Sequence, residues 1–228
     1  MIGLDPDGPR AHGAQAGGLL GVLTGLVGMW LALVVVAGAL GVFTAGPTRP
    51  PLAMLLAIAG PLALFALGYR RSRPFRAFAL GIDPRLLTAI QSWRVLGGVF
   101  LFLHAFGLLP GLFAWPAGLG DLAVGVAAVF VLHAMIRHAP GWPRHLWWLN
   151  VGGLLDFAVA IGTGVLTSNS ALGVLAPSVP GADLGALPLS LIPTFAVPLW
   201  AIAHLISLLQ LRNRAFTRGA PVSAATTP

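Results

Sequence analysis

Long apolar runs with almost no charge decide what this chain can fold into. Gly18 to Phe43 contains no charged residue, and similar runs recur at Leu52–Tyr69, within Pro84–Leu109, at Asp121–Arg137, from about Leu146 to Leu166 and at Leu187–Leu211. A helix needs about 20 predominantly apolar residues to cross the hydrocarbon core of a bilayer. The first run exceeds the apolar core of roughly 7–15 residues found in a cleaved signal peptide, so it reads as a helix that stays in the membrane. The chain is therefore expected to be an all-α, polytopic integral membrane protein with six transmembrane helices. A short polar tail (1–16) precedes one six-helix transmembrane domain (17–211), and a disordered tail (212–228) follows it.

Composition narrows the functions available. With 57% hydrophobic and 8% charged residues, the chain is far from a soluble domain, in which about 25% of residues are charged. All 13 basic residues are Arg and all 6 acids are Asp. Without lysine there is no Schiff base, which excludes a retinal protein or a lysine-based covalent enzyme. Without cysteine there are no disulfides, thiolate nucleophiles or cysteine-bound iron–sulfur clusters. The lysine-free bias reads as a GC-rich coding preference and points to a bacterial source. The net charge of +7 sits in loops beside apolar runs, where it speaks to orientation, and nothing in the pattern fits a nucleic-acid partner.

That orientation follows from the arginines. With the amino terminus cytoplasmic, Arg49 alone faces outside and the other twelve of the 13 lie at inner ends, among them Arg85 and Arg94, which with Gln91 are expected at the interface in the first turns of a third span that starts at the Asp83–Pro84 cap. The positive-inside rule then places both termini in the cytoplasm and the loops 44–51, 110–120 and 167–186 outside, in a plasma (bacterial inner) membrane. Arg70, Arg71, Arg73 and Arg76 are the densest basic group. They serve as topogenic charge or as a site for anionic lipid head groups.

The polar residues within the spans are few. Asp156 lies mid-way along Pro143–Leu166 and shares a helical stripe with His145, Leu149, Gly152, Gly153, Ala160 and Thr163. A stripe of mostly small residues lets another helix approach, so Asp156 is expected to face protein, opposite the third or sixth span, as a proton relay or as hydrogen-bonding glue. Asp121 opens the fourth span in this reading, either capping it or pairing with His104 in the outer half. Pro188, Pro193 and Pro198 free carbonyls in the sixth span, and Ser190 and Thr194 are candidates to satisfy them. Gly13, Gly17, Gly21 and Gly25 form a flat strip on the first span, for packing within the chain or for a homo-oligomer or partner membrane subunit.

A weak repeat joins these features. Trp93-xxx-Gly97-Gly98 and Trp148-xxx-Gly152-Gly153 start the third and fifth spans, so spans 3–4 and 5–6 read as a parallel repeat of two helical hairpins. It pairs His133 with His204 as b-type haem or metal ligands, with Asn150 at a depth to fix a ring nitrogen. No metal-hydrolase, phosphate-loop or serine-elbow motif accompanies them, so enzymatic activity stays open. The leading reading is proton-coupled small-molecule transport through Asp156 with His104, Asp121 and Asn150. The alternatives are the haem or metal redox protein and a non-catalytic subunit packing through its glycine strips. A transporter predicts a cavity reaching Asp156.

Overall fold

Each apolar run is helical in the computed structural model of the chain, which describes residues 8–176 and 183–219. Helix α1 spans Gly8–Ala39, α2 Leu52–Arg71 and α3 Arg73–Gly81. The next span is composite: α4 (Pro84–Ala89), a 3₁₀ segment (Ile90–Gly98) and α5 (Val99–Ala105). After it come α6 (Gly111–Ile136), α7 (Trp142–Leu166), a π segment (Ile192–Ala196) and α8 (Val197–Gly219). There is no strand among the described residues. Five stretches are long and apolar enough to cross a membrane: Leu52–Arg71, Pro84–Ala105, Gly111–Ile136, Trp142–Leu166 and Ile192–Asn213. Within the described residues α1 contributes a shorter apolar segment, Thr24–Ala39.

Local chemistry sets several helix ends. Asp83 caps α4 by accepting from Arg85 N at 2.8 Å, with Pro84 in the first turn where its missing N–H is harmless. Ser72 ends α2 and caps α3 by accepting from Phe75 N at 3.2 Å. Arg76 then folds back and donates to Tyr69 O (3.0 Å) and Arg70 O (3.2 Å), satisfying carbonyls that the end of α2 leaves open. Gln210 of α8 does the same beyond α3, donating to Ile82 O at 2.7 Å.

Three boundaries depart from expectation. The stretch Pro110–Gly120 is not a connection, because α6 starts at Gly111. Pro116 removes one backbone donor near the start of that helix without ending it. Asp121 therefore lies well inside α6 and does not cap it. Helix also runs into both expected tails, from Gly8 and up to Gly219; residues 1–7, 220–228 and the loop segment 177–182 lie outside the described residues.

Polarity is distributed inside out. The largest fully buried side chains include Arg94, His204, Gln91, Asn150, Thr88 and Thr194, while Leu33, Leu56, Leu64, Phe130 and Leu155 are exposed. An exposed apolar shell around a polar centre suits a lipid surround rather than water. The third span, α6, α7 and α8 surround that centre, with the 3₁₀ segment lying on α6, α6 on α7 and α7 on α8. Gly125 permits the first contact: a Cβ there would stand 2.7 Å from Val95 N and 2.8 Å from Val95 Cγ1. The 3₁₀ segment is also tied to α8, since Trp200 Nε1 donates to Ile90 O (3.1 Å) and Gln91 Nε2 donates to Trp200 O (3.3 Å).

Candidate functional site

The centre of the helix bundle is a charge cluster built on Arg94. Its side chain has no solvent exposure, and an arginine at the middle of a membrane helix is unfavourable by about 2.5–3.5 kcal/mol even on lenient scales. Four of its N–H groups find acceptors. Nε donates to Asp121 Oδ1 at 2.7 Å, and Nη2 donates to Asp156 Oδ2. Nη1 reaches Gly153 O at 3.3 Å and His204 Nε2 at 3.2 Å. The guanidinium carbon stands 3.9 Å from the centre of the Phe157 ring, a cation–π contact in a desolvated place.

The network fixes the state of His204. A guanidinium has no lone pair, so His204 Nε2 must accept, and Nδ1 carries the proton. That proton goes to Asn150 Oδ1 at 2.7 Å, and Asn150 Nδ2 in turn donates to Leu146 O at 2.6 Å. His204 is thus neutral with both ring nitrogens engaged. Four spans each contribute near their middles: Arg94 from the third, Asp121 from α6, Asp156 and Asn150 from α7, and His204 from α8.

Glycine makes the cluster fit. A Cβ on Gly97 would collide with the Asp121 carboxylate, one on Gly120 with Asp156, and one on Gly153 with His204 and, at 2.9 Å, with Arg94 Nη1. With both acids ionised, the cluster carries one positive and two negative charges. An unbalanced charge in an apolar interior is strongly unfavourable, so the cluster has room for one further positive charge.

A cavity of about 250 Å³ ends on this cluster. It runs between α2, α5, α6, α7 and the π segment toward the loop after α7, with Asp121 in its lining and Thr167, Ser168, Asn169, Ser170 and Asp183 among its polar residues. Asp121 is 7% exposed, and Arg94 is its one hydrogen-bond partner among the described residues. The cavity therefore reaches the cluster at Asp121 and not at Asp156, the residue expected to receive it.

Other residues singled out from the sequence fall elsewhere. His104 is partly buried; its Nδ1 donates to Leu109 O at 2.9 Å and its ring packs on Trp115, so it closes the turn before α6 and does not pair with Asp121. His133 is exposed in the last turn of α6, whereas His204 is buried at mid-span, so the two do not share surroundings. With no free lone pair on His204 and His133 turned outward, this pair does not fit haem or metal ligation. Thr194 Oγ1 donates to Ser190 O at 2.6 Å, while Ser190 Oγ is buried without a partner among the described residues. Arg70, Arg71, Arg73 and Arg76 are exposed where α2 meets α3. On α1, Gly21 and Gly25 have open space where a Cβ would go; the side-chain surroundings of positions 13 and 17 lie outside the described residues.

Arg94 is the central residue that the sequence reading placed wrongly, at the interface, as a topogenic charge. The signal lay in its position, mid-way along a span whose neighbours each bury an unpaired acid.

No curated protein and no solved structure matches this chain. A family model described as Domain of unknown function (DUF8737) matches residues 50–212, which takes in the five spans and every member of the cluster and leaves out α1. The match covers more than half of the chain, and the protein belongs to the DUF8737 family.

Proposed function

We propose that this protein is a proton-coupled carrier of small molecules, working through the Arg94–Asp121–Asp156 cluster. The observation that carries the reading is the cavity whose inner end is Asp121, a carboxylate held at mid-span by a fully buried arginine. A cluster of +1 and −2 alternates between two neutral loads, a proton or a bound cation, which is what coupling requires. The 3₁₀ segment that carries Arg94 and the π segment before His204 are the kinds of helix irregularity found at hinges and functional sites.

The setting proposed is a bacterial inner membrane with six spans, α1 included, and both termini cytoplasmic. Arg94 no longer counts toward that orientation, and the remaining arginines still place Arg49 alone on the outer side. Arg70, Arg71, Arg73 and Arg76 then face the inner leaflet, in reach of anionic head groups. The shared Trp-xxx-Gly-Gly starts of the third and fifth spans do not extend to matching packing, since a Cβ on Gly97 would meet Asp121 while its counterpart Gly152 has open space. A second reading, assembly with another copy or a membrane subunit through α1, is favoured by the open sides of Gly21 and Gly25.

The carrier reading has a test that needs no known substrate. The chain has no native cysteine, and Ala160 lines the cavity. In a carrier, Ala160→Cys reacts with a membrane-impermeant thiol reagent in both right-side-out and inside-out vesicles, because access alternates. Reaction from one face alone refutes the reading.

A further inference from the structure

The cavity also defines what it is built to hold. Its lining carries Asp121 at the inner end and Asp183 near the loop, and no Arg or His among the described residues. Between the two acids the walls are apolar and aromatic, with Phe43, Phe100, Phe113 and Phe157. Only Oδ1 of Asp121 is taken by Arg94, and Oδ2 accepts no hydrogen bond from the described residues. The Asp121 side chain lines the cavity although it is nine-tenths buried.

Charge and chemistry exclude most occupants. An anion meets two carboxylates and, among the described lining residues, no basic group. A neutral apolar molecule fits the walls but makes no use of the carboxylate at the inner end. A divalent metal ion takes about six to eight oxygen ligands, and the inner end supplies few. A single positive charge on an apolar body satisfies both the Asp121 carboxylate and the aromatic walls, whose ring faces attract cations. The volume of about 250 Å³ is below the roughly 300–1,000 Å³ of drug-sized pockets, so the body is compact, of the order of one aromatic ring with a small ammonium group.

We propose that the substrate of this site is a compact, apolar organic cation bearing one positive charge, which exchanges with one proton at the Asp121–Asp156 pair. The inference rests on the carrier reading for its direction of use, and on the cavity for its chemistry. When the cation docks against Asp121, one proton leaves the carboxylate pair for water. One positive charge arrives as one departs, and the charge of the cluster is unchanged.

The test uses the purified full chain in detergent and benzyltrimethylammonium as the probe. This cation has no N–H, so any proton released comes from the protein. Neopentylbenzene is its neutral counterpart of the same shape. Calorimetric titration in buffers of different ionisation enthalpy counts the protons. The expected result is release of about one proton per cation bound, and affinity for the cation above that for neopentylbenzene by at least about tenfold. Asp121→Asn should lower cation affinity by about tenfold or more and abolish the release. If that variant does not fold, the proton count and the neutral comparison on the unaltered chain still decide. Equal binding of neopentylbenzene, cation binding without proton release, or no cation binding overturns the proposal. Two-faced labelling of Ala160→Cys with no cation binding removes this substrate class and leaves the carrier. Cation binding with proton release and one-faced labelling keeps the site and removes the carrier.

Discussion

Replacing Arg94 by methionine keeps much of the side-chain length and removes every donor. Asp121 and Asp156 lose their counter-charge, and Gly153 O and His204 Nε2 lose their N–H partners. Taking one member from a buried ion pair is worth about 3–5 kcal/mol of stability. Protonation of the two acids relieves their repulsion but does not restore the four donors, so Arg94→Met belongs at the upper end of that range. In a chain of this size each kcal/mol moves the unfolding midpoint by about 2–4 °C, giving a fall of roughly 10–20 °C. The triple variant Arg94→Met/Asp121→Asn/Asp156→Asn removes all three charges together. Replacing a whole buried ion cluster by uncharged groups is often neutral in stability, so this variant should recover most of the loss while no longer exchanging protons. Thermal unfolding in detergent, followed by fluorescence of the 7 tryptophans, measures both. If the single variant melts with the parent, or the triple variant is no better than the single, the cluster is not the balanced charge system described above.

Three further outcomes are expected. Gly97→Ala, Gly120→Ala and Gly153→Ala each put a Cβ on a cluster side chain and should lose about 1–3 kcal/mol. Gly152→Ala, with nothing within 4 Å of its Cβ, should be neutral or gain up to about 1 kcal/mol from helix propensity; the reverse order in thermal unfolding would contradict the packing. Nitrogen NMR of labelled protein should find His204 neutral, with the proton on Nδ1; protonation at Nε2 would break the chain from Arg94 to Asn150. Ala77→Cys and Ala171→Cys should be labelled from opposite faces by an impermeant reagent in intact cells and inverted vesicles, and labelling from the same face would overturn the topology.

The spans were legible because a charge-free apolar run has few alternatives to a helix, and Asp83–Pro84 marked one start to the residue. The inward turn of Asp156 was legible from Gly153 and Ala160 beside it on the helix. The centre of the site was not, for two physical reasons. An arginine near a membrane-helix end usually reports orientation, and the expected third span, Pro84–Leu109, had its first turns at the interface; that put Gln91 and Arg94 in head groups, although the structure buries both. Pro116 and the neighbouring glycines imitated a break, which made Asp121 look like a cap. Read together, two lone acids at mid-span on adjacent helices require a counter-charge, and Arg94 is the arginine placed to meet them. The pairing of His133 with His204 failed because a repeated Trp-xxx-Gly-Gly start constrains where helices begin and not which way a later side chain turns.

The backbone divides the cluster into two unlike halves. Its acids stand on α6 and α7, regular α-helices brought close where Gly120 leaves room for Asp156, and such contacts resist displacement because close-packed interiors have no slack. Its basic groups stand on the two spans that leave α geometry, Arg94 within the 3₁₀ segment and His204 beyond the π segment. A 3₁₀ helix rises about 2.0 Å per residue against about 1.5 Å for an α-helix. Conversion of Ile90–Gly98 to α geometry would shorten the third span by roughly 4 Å, more than a hydrogen-bond length. Arg94 is held in its extended segment by ion pairs to Asp121 and Asp156, and neutralising either acid weakens that hold. A change in the charge state of the cluster is therefore expected to act on the length of the third span, through the segment that carries the arginine.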